Sequence, residues 1–279
     1  MKLIKVFLEN LENSNIRYVH WKNNTFIDKA LSGDDDLDIL VDIKQKATLF
    51  SIFEKLKIFR AHSYEDKWHK EITHFYGIDI DSKKLFHIHL HFNIEIGFDY
   101  DLCYNLPIVN NYLNNRIKYK ELIYIPNYEN EYILLIIRLI LKNTLTPFLL
   151  MLPHNQFSSI KNAKQKGVVK GGGYREFLDL RSKINSKKLE ICLEYNFSFL
   201  SHDTFKSLES LLNDNSSVIA FFKAGRKLKE ELRNYRSYNE FTSIRRAFFR
   251  LYSIRFFLLL RKLHVYNKIE GKKVENGGR

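Results

Sequence analysis

The sequence predicts an α/β fold of the α+β kind, a small mixed sheet followed by helices, and three observations carry that prediction. Between positions 1 and 125 the apolar residues recur alternately at helical and at strand spacing, so helices and strands interleave there. From about residue 127 the spacing is helical almost throughout. Apolar side chains make up 45% of the 279 residues and aromatic ones 14%, which is enough to fill real cores and excludes a chain disordered along its length.

Residues 3–12 have a helical pattern, IRYVHW at 16–21 is a short strand, and NTFIDKAL at 24–31 is a helix capped by Asn24 or Thr25. DLDILV at 36–41 is the next strand. The stretch 43–57 places Ala47, Phe50, Ile52, Phe53 and Leu56 at helical spacing. Two β runs follow, EITHFYGIDI at 71–80 and LFHIHLHFNIEI at 85–96, and the polar tetrad DSKK between them reads as a hairpin turn. NEYILLIIRLILKN at 130–143 is apolar nearly all round, as expected of a helix buried between domains or in a bundle core. Pro147 and Pro153 are expected to break it. KQKGVVKGGGYREF at 164–177 is basic and glycine-rich and reads as a mobile loop around Lys170, after which helices resume. Three segments result: 1–125 with the sheet, 126–240 as a helical domain with the basic glycine-rich loop, and 241–279 as a basic aromatic helix with a linker-like end.

The formal net charge of +13 is unevenly spread. Residues 1–125 hold 17 Lys and Arg against 18 Asp and Glu, which leaves 28 of the 45 basic and 14 of the 32 acidic residues to 126–279. That asymmetry points the second half toward an anionic partner. Nucleic acid ranks last among the candidates, because no RNA-binding motif accompanies the charge. The only cysteines, Cys103 and Cys192, make neither a disulfide framework nor a cysteine zinc site. The amphipathic amino terminus lacks a long apolar signal core, so the expected location is cytoplasmic.

The chemistry concentrates in LSGDDDLDILVD at 31–42, where five aspartates fall within nine positions beside an apolar strand. Strand alternation sends Asp36 and Asp38 to one face, roughly 6 to 7 Å apart, while Leu37 and Ile39 take the other. Two carboxylates that close at the edge of a core need protonation, a basic partner or a bound divalent cation. If they merely repel, Asp38→Asn is expected to leave the apo fold intact or raise its melting temperature. Asp34, Asp35 and Asp42 read as turn or boundary residues.

HWKNN at 20–24, the acidic strand, and FHIHLHFNIEIG at 86–97 occur in an order that resembles the polymerase β-type nucleotidyltransferases. In particular they resemble an uncharacterised bacterial family linked to surface-polysaccharide genes, with members fused to a thymidylate kinase-like domain. The resemblance spans about residues 16–100. It implies that Asp36 and Asp38 are catalytic and hold Mg2+ or Mn2+, and that a nucleoside triphosphate is the substrate and a sugar or polysaccharide the acceptor. Lys22 and Asn23 stand where the superfamily has a Gly-Ser turn and would meet the triphosphate, and Gly33 would let a turn approach it. Where the third carboxylate is expected the strand offers His87, His89 and His91, of which His89 matches best in position; hydrogen bonding to the aspartates or plain surface exposure are the alternative roles, and Asp79, Asp81 and Glu95 the acidic alternatives. Imidazole suits zinc or manganese better than magnesium.

Arg138 and Lys142, one turn apart, are placed either against internal carboxylates or against the triphosphate. The segment from Phe241, rich in arginine and phenylalanine, reads either as a core helix with snorkelling arginines or as a peripheral contact with an anionic membrane. The hydrophilic end resembles a connection to a kinase-like domain. A non-catalytic nucleotide- or sugar-binding module beside such a partner is the alternative to the enzyme.

Overall fold

Helix α1 (Lys2–Asn13) buries Ile4, Phe7, Leu8 and Leu11, a stripe at helical spacing. Its first turn is capped from a distance, as the backbone N–H of Leu3 donates to Asp79 Oδ2 at 2.8 Å. The computed structural model describes residues 1–61, 72–98, 101–150, 169, 171–214 and 218–237. Met1–Tyr235 form one compact unit.

Five strands make the main sheet: β1 (Tyr18–His20), β2 (Leu37–Val41), β3 (Phe59–Ala61), β4 (Ile72–Asp79) and β5 (Lys84–His91). Their order is β1-β2-β5-β4-β3. β2 and β5 run parallel and the other pairs antiparallel, so the sheet is mixed. Helix α2 (Ile27–Ser32) precedes β2, and α3 (Lys46–Lys55) follows it. One sheet face carries Tyr18, Leu37, Ile39, Val41, Phe75, Phe86, Ile88 and Leu90 into a core shared with α1 and α3.

The expected single run at 85–96 is divided. Bends at Phe92 and Asn93 end β5, and β6 (Ile94–Phe98) pairs with β7 (Asp101–Leu106) rather than with the main sheet. Helix α4 (Val109–Asn114) and the hairpin β8 (Arg116–Tyr119) and β9 (Ile123–Pro126) follow.

Helix α5 (Tyr128–Leu150) continues through Pro147, contrary to the expected break. Proline there removes one backbone hydrogen bond near the helix end, and the preceding turns from Tyr132 to Leu141 are locked by burial on nearly every side. Pro153 lies outside the described residues. The glycines expected in a loop instead open helix α6 (Gly171–Lys183). A Cβ on Gly173 would stand 2.8 Å from Leu139 Cδ2, so its bare backbone is what lets α6 lie close against α5. Lys170 lies outside the described residues. Helices α7 (Ser186–Tyr195), α8 (His202–Asp214) and α9 (Val218–Glu231) complete a second core around α5, which also takes in Val19, Trp21 and Leu40 from the sheet. Residues 241–279 are outside the described residues. No helix among the described residues is long and apolar enough to cross a membrane.

Candidate functional site

The sheet face opposite the α1 and α3 core is where the acidic strand spends its charge. Alternation in β2 turns Asp38 toward this face, and Asp36, just ahead of the strand, joins it. Alternation in β5 turns His87, His89 and His91 the same way, while Phe86, Ile88 and Leu90 enter the core. Parallel pairing sets Asp38 directly beside His89.

The resulting cluster is tightly wired. Lys22 Nζ lies 3.0 Å from Asp38 Oδ1, and His87 Nδ1 lies 2.7 Å from Asp36 Oδ1. His89 presents Nδ1 to Asp38 Oδ1 at 3.3 Å and Nε2 to Asp36 Oδ2 at 3.7 Å. His91 Nε2 stands 3.5 Å from Asp38 Oδ1, which is long for a hydrogen bond. Trp21 packs edge-on against His91, and its ring lies 5.0 Å from Lys22 Nζ and 5.6 Å from the Arg138 guanidinium. Both cations are placed for cation–π attraction.

These neighbours decide the protonation states. The hydrogen bond from His87 is the main force holding the Asp36 carboxyl below its usual value, against partial burial. Burial alone would raise Asp38, but Lys22 first, then His89 and His91, hold it well below the carboxylate range. Burial drives His91 down to about 4, so it is neutral near pH 7. Both aspartates are therefore ionised. The basic-partner remedy operates: the dominant charged neighbour of Asp38 is the Lys22 cation, so Asp38→Asn would remove an attraction as well as a repulsion.

A buried polar chain runs on behind this cluster. His20 Nδ1 contacts Asn24 Oδ1 at 2.7 Å, and Asn24 donates from Nδ2 to Glu131 Oε1 at 2.7 Å and from its backbone N–H at 3.2 Å. Burial, followed by the nearby Glu176 charge, pushes the Glu131 carboxyl up to about 8. Burial also raises Glu176, opposed by Arg138 and by a hydrogen bond from the Asn23 backbone.

The fold thus brings Asp36, Asp38, His89 and Lys22 together. Asn23 adjoins them in the left-handed region (φ 61°), with its N–H turned to Glu176. Arg138 faces Trp21 and the internal glutamates rather than the aspartates. Lys142, one turn further, is exposed. Gly33 serves to end α2: at φ 77° its N–H bonds Ala30 O, and a Cβ there would collide with Met1 Sδ. Among the acidic alternatives, Asp79 caps α1 and accepts from Ser82 N, and Asp81 pairs with Lys2 at the surface. Asp34 pairs with Lys84, Asp35 accepts from the Asp36 N–H, and Asp42 caps the turn before α3.

The sequence reading passed over His74, Glu131 and Glu176. His74 is legible in retrospect: once DSKK is a hairpin turn, counting back along β4 places His74 opposite His89. Glu131 is signalled only as a carboxylate in the most apolar helix of the chain. No protein-family model, curated protein or solved structure matches the chain.

Proposed function

We propose that the chain is a metal-dependent nucleotidyltransferase that moves a nucleotidyl group from a nucleoside triphosphate to an acceptor hydroxyl. The acceptor class is a sugar or polysaccharide, and the setting is cytoplasmic surface-polysaccharide synthesis. One observation carries the reading: Asp36 and Asp38 share a sheet face with Lys22, and the parallel neighbour strand sets His89 beside Asp38, where the resemblance calls for a third carboxylate.

The donors fit a divalent cation. Both carboxylates are ionised; the Asp36 side chain is 42% exposed, and the Asp38 side chain, 5% exposed, is paired with Lys22. The imidazole in third position suits manganese better than magnesium. Asp36 and Asp38 are the residues that would hold such an ion, which would neutralise triphosphate charge and acidify the attacking hydroxyl. The chain's own residues do the rest. Lys22 exchanges Asp38 for a phosphate oxygen when substrate arrives, His89 orients the Asp38 carboxylate through Nδ1, and Arg138 adds positive potential beside Trp21.

The Lys22–Asp38 ion pair also favours a second reading, in which nucleotide or sugar binds without transfer beside a kinase-like partner. The test is calorimetry of the full chain with each common nucleoside triphosphate and Mg2+ or Mn2+, alongside pyrophosphate release with a panel of sugar acceptors. Release that disappears in Asp38→Asn is the expected result. Binding without release selects the second reading, and absence of nucleotide binding with either metal rejects the enzyme and the nucleotide-binding form of the second reading.

A further inference from the structure

The imidazoles on this face do more than accompany the aspartates. His74 on β4 is the direct cross-strand partner of His89 on β5, and His87 is the next residue of β5 on the same face. The three rings form a close group: His74 and His89 meet edge to face at 4.7 Å, and His87 and His89 at 4.2 Å. His74 Nδ1 and His87 Nε2 are 3.0 Å apart. One ring nitrogen from each of the three residues lies within 4.8 Å of the others. All three residues are half-buried.

We propose that His74, His87 and His89 bind a divalent transition metal of the zinc class, on the sheet face beside Asp36. Tetrahedral zinc with bonds of about 2.0–2.1 Å sets its ligand nitrogens about 3.4 Å apart, so side-chain rotations on the scale of about 1–2 Å close the site. The carboxylates supply the second observation. Asp36 Oδ1 lies 2.7 Å from His87 Nδ1, and an ionised carboxylate accepts, so that nitrogen carries the proton and Nε2 is left with the lone pair a metal needs. His89 turns Nδ1 toward Asp38 in the same way. A carboxylate behind the ligating imidazole is the arrangement that orients histidines in metal sites. Three nitrogen donors do not suit magnesium, which requires oxygen. Three protein ligands also leave a coordination position for water, as sites that act on substrates do. The proposal rests on nitrogen donors and holds whether or not the chain transfers nucleotides.

The test is titration of the full-length, tag-free, metal-stripped protein with Co2+ as a spectroscopic stand-in for zinc, followed by competition with Zn2+. One equivalent should develop the intense visible bands of four-coordinate cobalt, and Zn2+ should bleach them. His74→Ala touches neither aspartate and should abolish the bands while circular dichroism stays that of the parent. Asp36→Asn keeps all three ligands and should weaken affinity by about 10–100-fold. His87→Gln provides a second ligand deletion should the His74 variant misfold. The proposal is overturned by an absence of cobalt bands at neutral pH, by bands that persist in a folded His74 or His87 variant, or by displacement of cobalt with millimolar Mg2+.

Discussion

The two faces of the five-stranded sheet are made from the same strands, residue by residue in alternation, yet they obey opposite rules. One face is apolar from Tyr18 to Leu90 and sealed by α1 and α3. The other sets Asp36, Asp38, His74, His87, His89 and His91 side by side, with Lys22 reaching over them. The apolar face gains by excluding water, and its residues are interchangeable within limits of volume. The polar face holds its charges only because each carboxylate has a basic partner, so its members are mutually dependent. What the contrast teaches is that from Asp36 to Ile39 the stability and the chemistry of the strand are carried by alternate positions, while Leu40 turns the polar face back into the core around α5.

Substitutions can break that separation. The largest effect belongs to Ile39→Asp, which drives an unpaired charge into the sealed face. A loss of about 4 kcal/mol or more is expected, seen as a collapsed urea midpoint. Asp38→Asn, one position away, should cost only about 1–2 kcal/mol, because Lys22 loses its partner but, at 21% side-chain exposure, can turn to water. A higher melting temperature in that variant would mean that carboxylate repulsion governs the face after all.

A third, pH-dependent effect lies in the buried chain behind the cluster. Glu131 has its carboxyl raised from 4.5 to about 8 by burial and by Glu176. Between those values the folded protein retains a proton that the unfolded chain has released. Its contribution is therefore fully present below pH 4.5 and lost as pH climbs to 8. Glu131→Gln removes that slope and keeps an acceptor for Asn24. Its melting temperature relative to the parent should rise steadily from pH 5 to pH 8, whereas a constant difference would refute the buried proton. The smallest effect is that of Asp34→Asn at the exposed strand entrance, where no change in melting temperature beyond error is expected from losing a surface pair with Lys84.

Much of this arrangement was legible because alternation is a strict rule. The period of two in DLDI at 36–39 and in HIHLH at 87–91 marks both the apolar and the polar sets. What stayed hidden was partnership. That Lys22 answers Asp38 depends on a chain reversal after β1, and that β6 leaves the main sheet depends on a bend at Phe92 and Asn93 inside an unbroken β pattern. Pro147 and the glycines at 171–173 misled for one reason: local propensity was read as decisive in a region where α5 and α6 are held by packing.

The parallel pairing of β2 with β5 also has a bearing on how the molecule comes together. Asp38 and His89 are 51 positions apart, whereas β4 and β5 are joined by a tight turn and pair with no long loop to close. Because the acidic strand precedes the hairpin in the chain, loop-closure cost predicts that β4 and β5 pair with each other before β2 docks on β5. On that prediction the loaded face of the sheet is completed by the docking of β2 on β5. Anything that neutralises the aspartates, a proton or a metal ion in the medium, would act on the speed of that docking as well as on the finished site.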